Sequence, residues 1–91
     1  MIYSLIFSPR AMEDFDRIKK SGNQARLKKL HVILTELSEH PLTGIGNPEK
    51  LRYKANTYSR RLSGKDRIVY SIYDDIVEVS ILQMLGHYDD K

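Results

Sequence analysis

The fold is decided by one stretch of sequence, residues 57–84, which reads TYSRRLSGKDRIVYSIYDDIVEVSILQM. Apolar side chains alternate with more polar ones along much of it, as in strands that have one face on a core. Turn residues interrupt this pattern at SGKD, residues 63–66, and again at Asp74-Asp75. Short strands joined by short turns pair with their neighbours in the chain. The stretch therefore predicts an antiparallel meander with strands at 57–62, 67–73 and 76–84.

Upstream of the meander, the sequence predicts one strand and two helices. Residues 2–7, IYSLIF, are apolar and rich in β-formers, as buried strands are. Ser8 and Pro9 then supply an N-cap and a proline at the first helical position. Asn23 can cap a second helix, which Pro41 closes. Two helices beside a run of hairpins indicate an α+β fold, in which an antiparallel, mainly meander sheet has an N-terminal strand and both helices packed on one face.

Length and composition limit the class of protein. With 91 residues, of which 41% are hydrophobic and 30% charged, the chain is expected to be one globular domain over residues 1–91. The absence of cysteine excludes a disulfide framework and a thiolate metal site. No apolar run approaches the roughly 20 residues of a membrane helix, and the apolar start is too short for a signal peptide. A cytoplasmic protein with no membrane association is expected.

Basic charge is concentrated in two segments. Residues 50–67 contain seven Lys or Arg and one acid, Asp66, while residues 17–29 contain six basic side chains and no acid. Basic surfaces gain binding free energy by neutralising phosphates and releasing counterions. Charge alone leaves two interpretations open, a nucleic-acid interface and a merely solvated basic surface.

Strand parity predicts the direction of two arginines. If the apolar residues of the meander face the helices, Arg61 and Arg67 project together from the opposite, open face of the sheet. The alternative, two solvated arginines on a polar face, stays open. The last strand, if it pairs antiparallel with 67–73, carries the chain back toward Arg67, which predicts that His87 lies near that arginine.

Glu49 lies in a loop before the meander, PLTGIGNPEK at residues 41–50, which leads into a short strand predicted at 51–54. A carboxylate, a histidine and guanidiniums match the requirements of RNA cleavage by transesterification. One group removes the proton of the 2′-hydroxyl, another protonates the departing 5′-oxygen, and cations stabilise the phosphoryl charge. This chemistry requires no metal or cofactor. Glu49 as an ion-pair partner and His87 as a tail residue are the alternatives.

Four motifs, taken in order, resemble the YoeB/Txe family of toxins from type II toxin–antitoxin modules, within the RelE/ParE superfamily. They are GNPEKL at 46–51, YSRRL at 58–62, DRIVY at 66–70 and His87-Tyr88. The resemblance implies a RelE/YoeB-like fold. It also implies an mRNA interferase, an endoribonuclease that inhibits translation by cutting mRNA, typically in the ribosomal A site.

The resemblance further implies roles for individual residues. Glu49 would be the general base, His87 the general acid and Arg67 the stabiliser of the pentacoordinate phosphorus. Substrate or phosphate contacts would come from Arg52, Arg61 and Tyr88. The implied partners are a YefM-type antitoxin, the ribosome and mRNA, with a homodimer or a toxin–antitoxin hetero-oligomer as the assembly. A basic helix over Lys19–Lys29 would dock on ribosomal RNA, with a solvated helix face as the alternative.

Three positions depart from the family pattern. Asp89-Asp90-Lys91 follow a tyrosine that closes the chain in familiar members, Arg52 stands where lysine is common, and Tyr58 stands where some relatives have tryptophan. Two other functions stay open from the residues alone. One is a ParE-like toxin acting on DNA gyrase, which would need neither the carboxylate nor the histidine, and the other is a non-catalytic RNA-binding module.

Overall fold

The computed structural model describes residues 2–86, which form a five-stranded sheet and two α-helices. The strands are β1 (Ser4–Phe7), β2 (Glu49–Lys50), β3 (Thr57–Ser63), β4 (Asp66–Tyr73) and β5 (Glu78–Gln83), and the helices are α1 (Pro9–Lys20) and α2 (Gln24–Glu39). Within this part of the chain, neither helix is long and apolar enough to cross a membrane.

The strands lie in the order β1-β5-β4-β3-β2. β2 pairs antiparallel with β3, β3 with β4 and β4 with β5, which is the predicted meander. β1 instead lies parallel to β5, with Ser4 opposite Glu78 and Phe7 opposite Ile81. The predicted α+β fold, with its N-terminal strand and mainly antiparallel sheet, is confirmed.

Both helices pack on one face of the sheet and bury a shared apolar cluster. Its helical members are Ala11, Ile18, Leu30, Ile33 and Leu37, and its strand members include Leu62, Ile68, Tyr70, Ile72, Val79 and Ile81. Full burial of a leucine or isoleucine side chain stabilises the fold by roughly 1.5–3 kcal/mol relative to exposure. The strand members alternate along the sequence with residues whose side chains project from the opposite face of the sheet, where the candidate site lies.

The helix starts lie where the sequence predicts them. Ser8 Oγ accepts the N–H of Ala11 at 3.0 Å, and Asn23 Oδ1 accepts the N–H of Arg26 at 3.0 Å. Each cap satisfies a donor that has no partner inside its helix. The expectation of a single basic helix over Lys19–Lys29 is wrong, because α1 ends at Lys20 and α2 begins at Gln24.

The prediction of a strand at 51–54 is wrong. Pairing occurs just before it, at β2, and the chain then turns. The N–H of Leu51 donates to the carbonyl of Thr57 at 2.9 Å, and Asn56 adopts a left-handed φ of 56°, so these residues reverse the chain. The last strand also begins later than predicted, because Asp74–Ile76 form a 3₁₀ turn before Glu78.

Candidate active site

The sheet face opposite the helices carries the candidate site residues. Cross-strand partners project to the same side of a sheet. The register places Glu49 opposite Ser59, Ser59 opposite Val69, and Arg61 opposite Arg67. The predicted parity of Arg61 and Arg67 is therefore confirmed. Glu49 shares their face, because Ser59 and Arg61 are two residues apart on β3.

Sheet geometry gives the separations of these residues. With strands about 4.8 Å apart and a rise of about 3.3 Å per residue, the Cα of Glu49 lies roughly 8 Å from that of Arg61 and roughly 12 Å from that of Arg67. Glu49 and Arg61 are exposed, and Arg67 is half-buried. Long side chains reach one another across a diagonal of about 8 Å, as between Glu49 and Arg61. Arg61 lies directly opposite Arg67, so the two guanidiniums can contact one phosphate group while Glu49 lies beside it.

The sequence Gly46-Asn47-Pro48-Glu49 directs the carboxylate to this face. The Gly46 carbonyl accepts the N–H of Arg61 at 2.7 Å, and Gly46 has a φ of +87°. A Cβ at Gly46 would lie 2.8 Å from the carbonyl oxygen of Arg61, so only glycine fits without a shift of the loop. Asn47 then takes a φ of 52°, and its Nδ2 donates to Glu49 Oε1 at 2.9 Å. The motif is thus a turn that orients the carboxylate.

The chain that precedes His87 is fixed beside Arg67. The N–H of Arg67 donates to the carbonyl of Gly86 at 3.1 Å, and the N–H of Gly86 donates to Asp66 Oδ1 at 2.9 Å. Gly86, the last described residue, therefore lies next to the cationic pair. His87 and Tyr88 lie outside the described residues, so the proximity of His87 to Arg67 stays a prediction.

Asp14 holds the same segment from the helix side. Asp14 is 3% exposed, and its carboxylate accepts the N–H of Met84 at 2.9 Å and that of Leu85 at 3.2 Å. Arg10 lies 3.3 Å from this carboxylate and donates to the carbonyl of Leu85 at 2.9 Å. Sequence reasoning missed this anchor, because its partners are backbone groups some 70 residues away along the chain.

Arg60 does not belong to the open basic surface. Its side chain is 0% exposed, points toward the helices and forms an ion pair with Glu36 at 2.7 Å. The count of seven cations over residues 50–67 therefore overstates the charge available to a ligand. A signal for this was present, since adjacent residues on a strand point to opposite faces and only one of Arg60 and Arg61 can lie on the open side.

The remaining predicted contact, Arg52, is exposed in the turn region just after β2. Among residues 2–86, no three histidine, aspartate or glutamate side chains are grouped as a metal site requires. The described part of the site is therefore the sheet face opposite the helices, where Glu49, Arg61 and Arg67 lie around the buried side chains of Ser59 and Val69.

Comparison with known proteins identifies the class to which this arrangement belongs. A family profile described as a YoeB-like toxin of bacterial type II toxin–antitoxin systems matches residues 7–88. Toxin YoeB of Mycobacterium bovis is 34% identical over 86 residues, which cover 93% of this chain and 98% of that toxin. The chain belongs to the family of YoeB-like toxins of bacterial type II toxin–antitoxin systems.

Solved structures agree with this assignment. The YoeB dimer from Staphylococcus aureus superimposes with a TM-score of 0.82 at 31% identity, covering 97% of this chain and 100% of that chain. The heterotetrameric YoeB–YefM complex from the same organism superimposes with a TM-score of 0.78 at 31% identity and the same coverage. The expected RelE/YoeB-like fold is confirmed.

Proposed function

We propose that this toxin is an endoribonuclease that cleaves mRNA on the ribosome and thereby inhibits translation. The observation that carries the proposal is the sharing of one sheet face by Glu49 and the paired Arg61 and Arg67. The hydrogen bond between Arg67 and Gly86 adds support, since His87 follows directly in the chain.

Cleavage proceeds by transesterification. The carboxylate of Glu49 takes the proton of the 2′-hydroxyl, and the 2′-oxygen attacks the adjacent phosphorus. The bond from phosphorus to the 5′-oxygen breaks, and His87 protonates that departing oxygen. The products are a 2′,3′-cyclic phosphate and a 5′-hydroxyl.

The cations act on the charge that develops during this reaction. Arg67 and Arg61 donate hydrogen bonds to the phosphoryl oxygens, whose negative charge is greatest in the pentacoordinate state. Arg52 supplies a further phosphate contact, and Tyr88 orients or stacks on a base of the substrate. The planar guanidinium suits this task because it donates two parallel hydrogen bonds to one phosphate.

The sheet face that carries Glu49 and Arg61 is also the proposed binding surface for an antitoxin. One of the similar solved structures is a complex of YoeB with YefM, and another is a YoeB dimer. We infer that a YefM-type antitoxin binds this chain with an extended segment over the open sheet face and blocks RNA from it. The toxin then acts in the cytoplasm, where ribosomes and mRNA meet, once the antitoxin is lost.

Growth arrest tests the nuclease assignment. Expression of the toxin with Glu49→Ala, Arg67→Ala or His87→Ala is expected to arrest growth much less than the unaltered toxin, because each change removes a group that takes part in cleavage. Glu39→Ala, at an exposed acid on the end of α2, is the control and should arrest growth normally. Mapping of mRNA 5′ ends after induction should show new ends within early codons. Undiminished arrest by all three variants contradicts the assignment.

Arrest without new 5′ ends would point to the other two functions. A toxin acting on gyrase leaves mRNA intact and inhibits DNA replication, whereas a non-catalytic RNA-binding module blocks translation without cutting. Measurement of DNA and protein synthesis in the same cultures separates these outcomes.

Ribosome docking is expected to depend on the basic side chains of α2. Lys28 is exposed and Lys29 half-buried on that helix. The double charge reversal Lys28→Glu with Lys29→Glu should weaken cosedimentation with ribosomes. The slope of log K for ribosome binding against log salt concentration should become less steep by roughly 1.5–2, as expected for two lost phosphate contacts. Lys20→Gln is the control, because the Lys20 ammonium already pairs with Asp16 at 2.9 Å. Cosedimentation equal to that of the unaltered toxin would count against docking through α2.

A further inference from the structure

We propose that Arg60 is a positioning residue for the general base: its buried guanidinium holds residues 40–46, and this loop determines where Glu49 stands on the open face. The inference deepens the proposed function and rests on it, because it takes Glu49 as the base. Residues 40–46 are called the hinge loop below.

The guanidinium of Arg60 forms hydrogen bonds with the backbone of the hinge loop and with the side chains beside it. Nη1 donates to Glu36 Oε1 at 2.7 Å, and Nη2 donates to the carbonyls of Thr43 at 2.8 Å and Pro41 at 3.2 Å. Nε donates to the hydroxyl of Tyr70 at 3.0 Å. Burial raises the pKa of Tyr70, so the hydroxyl stays protonated and donates to the carbonyl of Pro41 at 3.3 Å. One side chain thus binds a helix, a strand and two loop carbonyls.

Glu36 ties the hinge loop to α2 at a second point. The carboxylate oxygen that pairs with Arg60 also accepts the N–H of Ile45 at 3.0 Å. Gly44 lies directly against the pair, since a Cβ at this position would come within 2.5 Å of Arg60 Nη1 and closer still to Glu36 Oε1. The loop backbone therefore has little room to move while the ion pair is intact.

A short segment with a restrained backbone connects the hinge loop to Glu49, so a shift of the loop displaces Glu49. The loop ends at Gly46, whose carbonyl is bound by the N–H of Arg61. Asn47 follows in a left-handed conformation, and Pro48 has its φ fixed by its ring. The pairing of β2 with β3 holds Glu49 itself. The carboxylate is thus placed from both sides, by this strand pairing and by the hinge loop that precedes it.

Arg60 cannot act as a phosphate ligand in this arrangement. Its side chain is 0% exposed, and its charge is compensated by Glu36. Arg61, the next residue, lies on the other face and is exposed. The two adjacent arginines therefore have separate tasks, one inside the fold and one at the substrate.

The variant Arg60→Lys tests the proposal. Lysine keeps the charge but donates from a single nitrogen, so it cannot span Glu36, Tyr70 and the loop carbonyls together. We expect the single-turnover rate of cleavage of ribosome-bound mRNA to fall about 10- to 100-fold, the range expected for a base displaced by about 1 Å. The affinity for mRNA that carries 2′-O-methyl groups across the A-site codon, which cannot be cleaved, should change by less than about twofold.

A double-mutant cycle separates positioning from a general structural role. If Arg60 acts through Glu49, Arg60→Lys should cause less than about a twofold further loss of rate in a Glu49→Gln background. Losses that multiply would overturn the proposal, as would an unchanged rate in Arg60→Lys or a loss that appears in affinity alone. An unchanged rate in Glu49→Gln by itself would instead refute the proposed role of Glu49, which distinguishes failure of the underlying function from failure of this inference.

Gly44→Ala provides a second variant in case Arg60→Lys fails to fold. It retains the arginine, and the added Cβ meets the ends of the Arg60 and Glu36 side chains at a φ of +136°, so the contact between the ion pair and the hinge loop must change. The expected result is the same loss of rate at unchanged affinity and the same non-additivity with Glu49→Gln. Thermal unfolding of each variant gives the folded fraction at the assay temperature. A folded Gly44→Ala protein with the rate of the unaltered toxin would contradict the proposal.

Discussion

Glu49→Gln is expected to slow the cleavage of ribosome-bound mRNA by roughly 10²- to 10⁴-fold, which is the usual contribution of a general base. Glutamine keeps the length of the side chain and can still accept the hydrogen bond that Asn47 donates to Oε1. It cannot take up a proton. The position of the group is thus preserved while its function is removed, and single-turnover kinetics measure the loss directly.

The affinity of Glu49→Gln for uncleavable, 2′-O-methylated mRNA should be unchanged or slightly higher, since a negative charge near the phosphates is lost. Glu39→Gln, at an exposed acid on the last residue of α2, is the matched control and should cleave at the unaltered rate. A loss of rate below about fivefold in Glu49→Gln would mean that another group accepts the proton. A loss confined to affinity would mean that Glu49 binds substrate without acting as a base.

Glu36→Ala is expected to lower the free energy of unfolding by about 3 kcal/mol, because it leaves the buried charge of Arg60 without a counterion. We place the effect at the lower end of the usual 3–5 kcal/mol because the Glu36 side chain keeps 18% exposure and water can replace part of the carboxylate. The N–H of Ile45 also loses its acceptor. Urea unfolding followed by circular dichroism measures the change.

Two further variants test the cause of this loss. Glu36→Gln retains an oxygen acceptor at nearly the same place, so it should destabilise the fold less than Glu36→Ala. Glu39→Ala, three residues along α2 and exposed, should change the free energy of unfolding by no more than about 0.5 kcal/mol. If Glu36→Ala and Glu39→Ala have equal effects, the buried ion pair does not stabilise the fold.

Strand parity made much of the sheet predictable. Alternation along residues 57–84 predicts that Arg61 and Arg67 share a face, and the register confirms this. The helix starts at Ser8 and Asn23 were also predictable, because a capping side chain and its N–H donor are only three residues apart. Interactions that close over a few residues leave their signature in the sequence.

The placement of Glu49 was not predictable in the same way. It depends on the hinge loop, whose carbonyls bind an arginine about 17–19 residues further along the chain. The charge count along the sequence treated this residue, Arg60, as part of a basic surface. Its full burial in the structure indicates instead that it holds the hinge loop. The error at 51–54 has a similar origin, because Leu51 and Tyr53 suit a strand while the observed bond from Leu51 to Thr57 closes a turn.

The parallel pairing of β1 with β5 joins the first strand of the chain to the last, across more than 70 residues of sequence. Contacts so far apart in sequence form late, because the entropy of closing the chain is lost before they stabilise anything. A nascent chain therefore lacks this edge of the sheet, and the segment that lies beside Arg67, until residues 78–86 have left the ribosome. The nuclease proposed above would be incomplete, and so inactive, up to that point of its own synthesis.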